Sequence, residues 1–137
     1  MSDPAYGIAR HVNVGYEEAL RLTREALKEQ GFGVLTEIDV KQTMKDKLDV
    51  DFKPYIILGA CNPSLAHQAL MAEPDIGLLL PCNIVVYAEG PGAAMVEAIA
   101  PLAAMGVVGN PALDDVAQQA QTRLTAALDA VAERAGT

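Results

Sequence analysis

Tryptophan is absent from the chain, and aromatic side chains as a whole make up only 4% of it. Any core must therefore be filled by Ala, Val, Leu and Ile. Cysteine is nearly as scarce. Cys61 and Cys82 stand alone, with no C-x-x-C spacing, so they form neither a disulfide framework nor a zinc motif. Positive charge is thin as well, with 10 Lys and Arg against 18 Asp and Glu. No Lys or Arg occurs between Lys53 and Arg123, while Glu73, Asp75, Glu89, Glu97, Asp114 and Asp115 fall in that interval. Nucleic-acid binding needs a basic footprint, so no nucleic-acid partner is expected.

Long hydrophobic runs are also missing. Pro, Gly and Asn interrupt the two least charged stretches, residues 54–72 and 98–113, and neither reads as a membrane span. "MSDPAYGIARHV" lacks the basic start and apolar segment of a secretory signal. A cytoplasmic protein without membrane contact is expected. At 137 residues the chain is long enough for one domain, residues 1–137, around one core.

Apolar side chains are abundant, at 51%, and their spacing predicts the elements. Residues 6–12 lean towards a strand. Residues 16–30 form the clearest helix, with Ala19, Leu20, Thr23, Ala26 and Leu27 on one face and Gly31 as a stop. "GVLTEIDV" alternates, placing Val34, Thr36, Ile38 and Val40 on one face of a half-buried strand. A short charged surface helix follows, and residues 52–60 resume the strand pattern, with Phe52, Ile56, Leu58 and Ala60 on one side.

Asn62-Pro63 then supplies an N-cap acceptor and a φ-fixed first residue for a helix reaching about residue 72. Asn110-Pro111 repeats the device before a C-terminal helix striped with Val116, Ala120, Leu124, Ala127, Leu128 and Val131. Residues 82–88 read as a strand. "AAMVEAIAP" reads as either a short helix or a hairpin strand over residues 95–100, and the preceding Gly-Pro-Gly turn favours the strand. "LAAMGVVGNP" reads as an apolar connection.

This order of elements predicts an α+β fold: a two-layer sandwich, its sheet mostly antiparallel, with helices packed on one face. The other face would carry Tyr55, Ile57, Val85 and Tyr87, and is expected to serve as a dimer surface or a ligand floor.

Cys61 is the candidate catalytic residue. It immediately precedes the N-cap of the Pro63 helix, where unpaired N–H groups and the helix dipole would stabilise a thiolate. Equally, a free cysteine at a strand-helix junction commonly serves as a small buried hydrophobe. If the flanking strands ran parallel, Cys61 and Cys82 would lie at opposite sheet edges, beyond disulfide reach. Asn62, His67 and Asn83 are the candidate ligand-binding residues, although Asn62 also reads as a cap and Asn83 as a strand-start residue, and His67, about a turn and a half into the helix, is no obvious base for Cys61. His11 is expected on the surface or at a pocket rim. Glu37 and Asp39 lie two apart on one strand, a spacing that suits a cation but equally a solvated face. The pattern implies no metal and no cofactor.

The motifs "GFGVLTEIDV", "YIILGACNP", "LLLPCNIVVY" and "GNPALDDVA", in that order, resemble the family of domain of unknown function 302, over about residues 6–131. The resemblance implies a compact two-layer α/β fold that tends to form dimers, and it supports the hairpin strand in "AAMVEAIAP". Both cysteines lie within these motifs, but the family has no established reaction, so no catalytic role is carried over.

Two functions of different class follow as expectations. One is a homodimeric module that binds or senses a small molecule on the open sheet face. The alternative is sulfur transfer or thiol redox chemistry at Cys61. A structural subunit of a larger assembly is a third.

Overall fold

The computed structural model describes residues 3–136. Five strands, β1 (Gly7–Val12), β2 (Gly33–Asp39), β3 (Tyr55–Cys61), β4 (Cys82–Gly90) and β5 (Ala93–Ile99), form one sheet in the order β1-β5-β4-β3-β2. Every neighbouring pair is antiparallel. The expected two-layer α+β sandwich is therefore present, and "AAMVEAI" is the hairpin strand β5.

Two helices cover one face. In α1 (Tyr16–Glu29), Ala19, Leu22, Thr23, Ala26 and Leu27 are buried, with Glu17 and Glu18 in the first turn and Lys28 in the last, as the helix dipole favours. In α5 (Asp114–Arg134), Leu124, Ala127, Leu128 and Val131 point to the same layer. Against them stand Ile56, Leu58 and Ala60 of β3, Ile84 and Val86 of β4, and Ala94, Val96 and Ala98 of β5. Period-two alternation thus delivers one sealed, aliphatic face, as the composition requires.

The chain between β3 and β4 is an excursion beyond the sheet end. Asn62 caps α3 (Pro63–Ala72), its side chain accepting from the Leu65 N–H at 3.3 Å and donating to the Gln30 carbonyl at 3.4 Å. A 3-10 turn (Pro74–Leu79) then brings the chain back to the end it left. There Leu65, Ala69, Ile76, Met105, Leu113, Val116, Ala117 and Ala120 build a second, smaller core. Part of it comes from α4 (Pro101–Gly106), a one-and-a-half-turn helix inside the segment expected to be an apolar connection. Asn110-Pro111 opens a 3-10 turn, Pro111–Leu113, that runs into α5.

β2 departs from the expected alternation. A bulge between Val34 and Thr36 sets Val34 opposite Ala60 on the core face, but Ile38 opposite Ile57 on the open face. An inserted residue reverses the side every later side chain takes, so β2 is mostly exposed. The charged segment after it is a surface helix, α2 (Val40–Leu48), with no buried residue and with Asp39 accepting from the Gln42 N–H at 3.0 Å.

Candidate functional site

Among the described residues no helix covers the second face of the sheet, and registry lays its side chains in rows. One row runs Ala9, Glu97, Val85, Ile57, Ile38. The next runs His11, Met95, Tyr87, Tyr55. Tyr55 and Tyr87 stack, with ring centroids 5.2 Å apart and planes 3° apart. Phe52, expected on the Ile56 side, instead precedes β3 and tilts against Tyr55 at 6.1 Å, because the strand begins only at Tyr55. The Lys53 ammonium sits 4.3 Å from the Tyr87 centroid, a cation held on an aromatic face. His11 pairs with Glu89 at the rim. Tyr55, Ile57, Val85 and Tyr87 therefore stand on the open face as the strand pattern predicts.

The segment before β1 folds back along this face. The Pro4 carbonyl accepts from the Gly7 N–H at 3.1 Å, and Asp3 accepts from the Ala9 N–H at 2.8 Å. A side chain at Gly7 would approach the Pro4 ring at 3.1 Å. Two grooves result. One, of about 270 Å³, is lined by Tyr6, Tyr55, Asn83, Val85, Glu97 and Ile99 among others. The broader one includes Arg10, His11, Tyr87, Met95 and Glu97. Glu97 and Pro4 belong to both.

Partial burial raises the Tyr55 and Tyr87 hydroxyls above their ordinary value, and the negative Glu97 carboxylate raises them further. The phenols stay neutral through the physiological range and remain hydrogen-bond donors. Such a floor, apolar with a carboxylate, an amide and phenols converging on it, can hold and orient a small molecule.

The cysteines lie elsewhere, at the sheet end under α3. Antiparallel pairing sets Cys82 opposite Ala60, the residue before Cys61. The separation expected for parallel strands is thus overturned, because α3 and the 3-10 turn return the chain to the end it left. The pair is adjacent, and both line an apolar cavity of about 30 Å³ with Leu65, Met105 and Ala120. That volume suits a water rather than a substrate. Both thiols are free; Cys61 is partly exposed and Cys82 buried. Burial, reinforced by nearby Cys61, pushes the Cys82 thiol up to about 11.

The remaining candidates scatter. Asn62 is buried and occupied in capping. His67 is exposed on α3, away from both grooves. Asn83 is exposed on the open face and joins the smaller groove. Glu37 pairs with Arg24 and Asp39 caps α2, so the two acids serve structure. Among the described residues, no group of three or more His, Cys, Asp and Glu side chains is placed to hold a metal. Glu97 and Tyr6 escaped the sequence reading. The signal for Glu97 was available: it is the one charge in "AAMVEAIAP", in phase with Met95 and Ile99.

A five-stranded antiparallel sheet with helices on one side only defines the molecule as a two-layer α+β protein. Within that class the model of the family described as domain of unknown function DUF302 matches residues 8–131, and the chain belongs to this family. A solved structure described as the uncharacterized conserved protein DUF302 from Bacillus stearothermophilus is 34% identical. The match covers 93% of this chain and 98% of that one, with a TM-score of 0.85. No curated protein matches the chain.

Proposed function

We propose that the protein is a cytoplasmic homodimer that binds, or senses, a small molecule on the uncovered face of its sheet. The observation that carries this reading is the convergence of Glu97, Asn83, Tyr6 and Tyr55 on an apolar floor of Val85 and Ile99. Supporting assembly are large apolar side chains left exposed at the β2 edge and around the second core, among them Leu35, Met71, Leu78 and Val107. No helix of the described chain is long and apolar enough to cross a membrane.

Native mass spectrometry of the purified protein, after incubation with metabolite pools, tests both parts. A dimer mass with a retained compound is expected; a monomer that repeatedly retains nothing counts against the proposal.

A second reading rests on Cys61. Of the two adjacent thiols only Cys61 is partly exposed, while Cys82 is held protonated. Sulfur transfer or thiol redox chemistry would use Cys61 alone as the attacking group. Its alkylation rate near pH 6, measured beside that of Cys82, decides the matter. A Cys61 reacting no faster than an ordinary thiol removes this reading.

A further inference from the structure

Glu97 is a half-buried carboxylate in a row whose neighbours on either side, Ala9 and Val85, offer it nothing polar. Among the described residues it belongs to none of the ion pairs, which engage Arg10, His11, Arg21, Arg24, Lys45 and Arg134 with other acids. The smaller groove it lines contains no Lys, Arg or His. Its walls are instead the two phenols Tyr6 and Tyr55, the Asn83 amide and the aliphatic Val85 and Ile99. Glu97 meets the Tyr87 hydroxyl and shares the broader groove with Arg10 and His11, but the smaller groove itself presents a negative charge with no cation in its own lining. Beside it, Lys53 already occupies the face of Tyr87, so this aromatic cluster does accept a cation.

We propose that the groove between Glu97, Tyr6, Tyr55 and Asn83 is a binding site for a small organic cation, an ammonium group carried on a short apolar body. This deepens, and rests on, the reading of the open face as a ligand floor. The ammonium lies against the Glu97 carboxylate and the electron-rich tyrosine rings, the Asn83 amide fixes its orientation, and Val85 and Ile99 take the apolar body. In this groove an anion would meet the Glu97 carboxylate and no cationic partner in the lining. At about 270 Å³ the groove falls just below the roughly 300–1,000 Å³ usual for drug-sized ligands, which restricts the body to a single ring or a short chain. The Tyr55 hydroxyl, held neutral by burial and by Glu97, can accept from the ammonium through its oxygen.

The test uses three probes of one shape and different charge: 2-phenylethylammonium, 2-phenylethanol and phenylacetate. Each is titrated into the intact protein and followed by the tyrosine ring and Asn83 amide NMR signals. The ammonium probe is expected to shift Tyr6, Tyr55 and Asn83, and to bind roughly ten-fold or more weakly in Glu97→Gln, since a hydrogen-bonded charge is lost. Glu97→Gln is isosteric and should melt with the wild type. Should it fail to fold, Tyr55→Leu replaces it, with several-fold weaker binding expected from loss of the ring. Equal binding of all three probes at these residues, unchanged in Glu97→Gln, overturns the charge assignment while leaving the face a ligand floor. Absence of any shift at these residues with millimolar ammonium probe overturns the cation site itself, and retention of a compound from metabolite pools then judges the broader reading separately.

Discussion

Alternate residues of the same strands lead different physical lives. Ile56, Leu58, Ile84, Val86, Val96 and Ala98 are sealed under α1 and α5, whereas Tyr55, Ile57, Val85, Tyr87 and Glu97 remain partly open. Both sets are largely apolar, so hydrophobicity alone does not separate them. Period does: one residue in two meets the helices, and the helices come only from one side. The sealed set carries the burial that stabilises the fold, and the open set is left free to meet something else.

The largest expected effect lies on the sealed side. Leu58 is fully buried, and Leu58→Ala should cost about 2–5 kcal/mol, measured by urea unfolding. A loss below 1 kcal/mol would erase the contrast between the faces. Next comes Cys82, whose thiol is raised from 9.0 to about 11 by burial. Between about pH 9 and 11 the unfolded chain releases this proton while the folded chain keeps it, so the folded state binds more protons and stability falls as pH rises. Two pKa units correspond to about 2–3 kcal/mol over that window. Comparing the pH dependence of Cys82→Ala with that of wild type from pH 8 to 10 isolates this contribution, because groups common to both proteins cancel; identical slopes would contradict it.

Gly59 sharpens the comparison, because it is a position where the open face is packed. A Cβ there would lie 2.1 Å from the Thr36 hydroxyl and 2.7 Å from the Pro81 ring. The hydroxyl can rotate, but the proline ring has less room to yield. Gly59→Ala should thus destabilise by about 1–3 kcal/mol, read as a lower thermal midpoint. The smallest effect belongs to Ile57, half-open on the uncovered side and flanked by Val85 and Ile38. Ile57→Ala should cost about 1 kcal/mol or less, since little area leaves water there. A cost equal to that of Leu58→Ala would mean that something buries this face in solution.

The same contrast marks what was legible in the sequence. Alternation in "YIILGAC" and "CNIVVY" assigns both faces correctly, and Asn62-Pro63 announces its cap. The bulge in β2 was not legible, because Val34, Thr36 and Ile38 alternate in sequence whether or not an extra residue interrupts the pairing. The hidden helix α4 has only six residues, too few for a helical period to emerge from "PLAAMG". The adjacency of Cys61 and Cys82 depends on whether the intervening chain crosses the sheet or returns, a question of topology that no local spacing answers. At the open face, Tyr55, Tyr87 and Asn83 were readable as positions, but their meeting with Glu97 and Tyr6 required the strand order β1-β5-β4-β3.

The central claim, that the uncovered face is a ligand floor, is tested most directly by filling it. Val85→Trp places a ring in the groove beside Glu97 without touching the sealed core. Native mass spectra of wild type and variant, incubated with one metabolite pool, should show a compound retained by the wild type and lost from an equally stable variant. A compound held equally well by both would contradict the account.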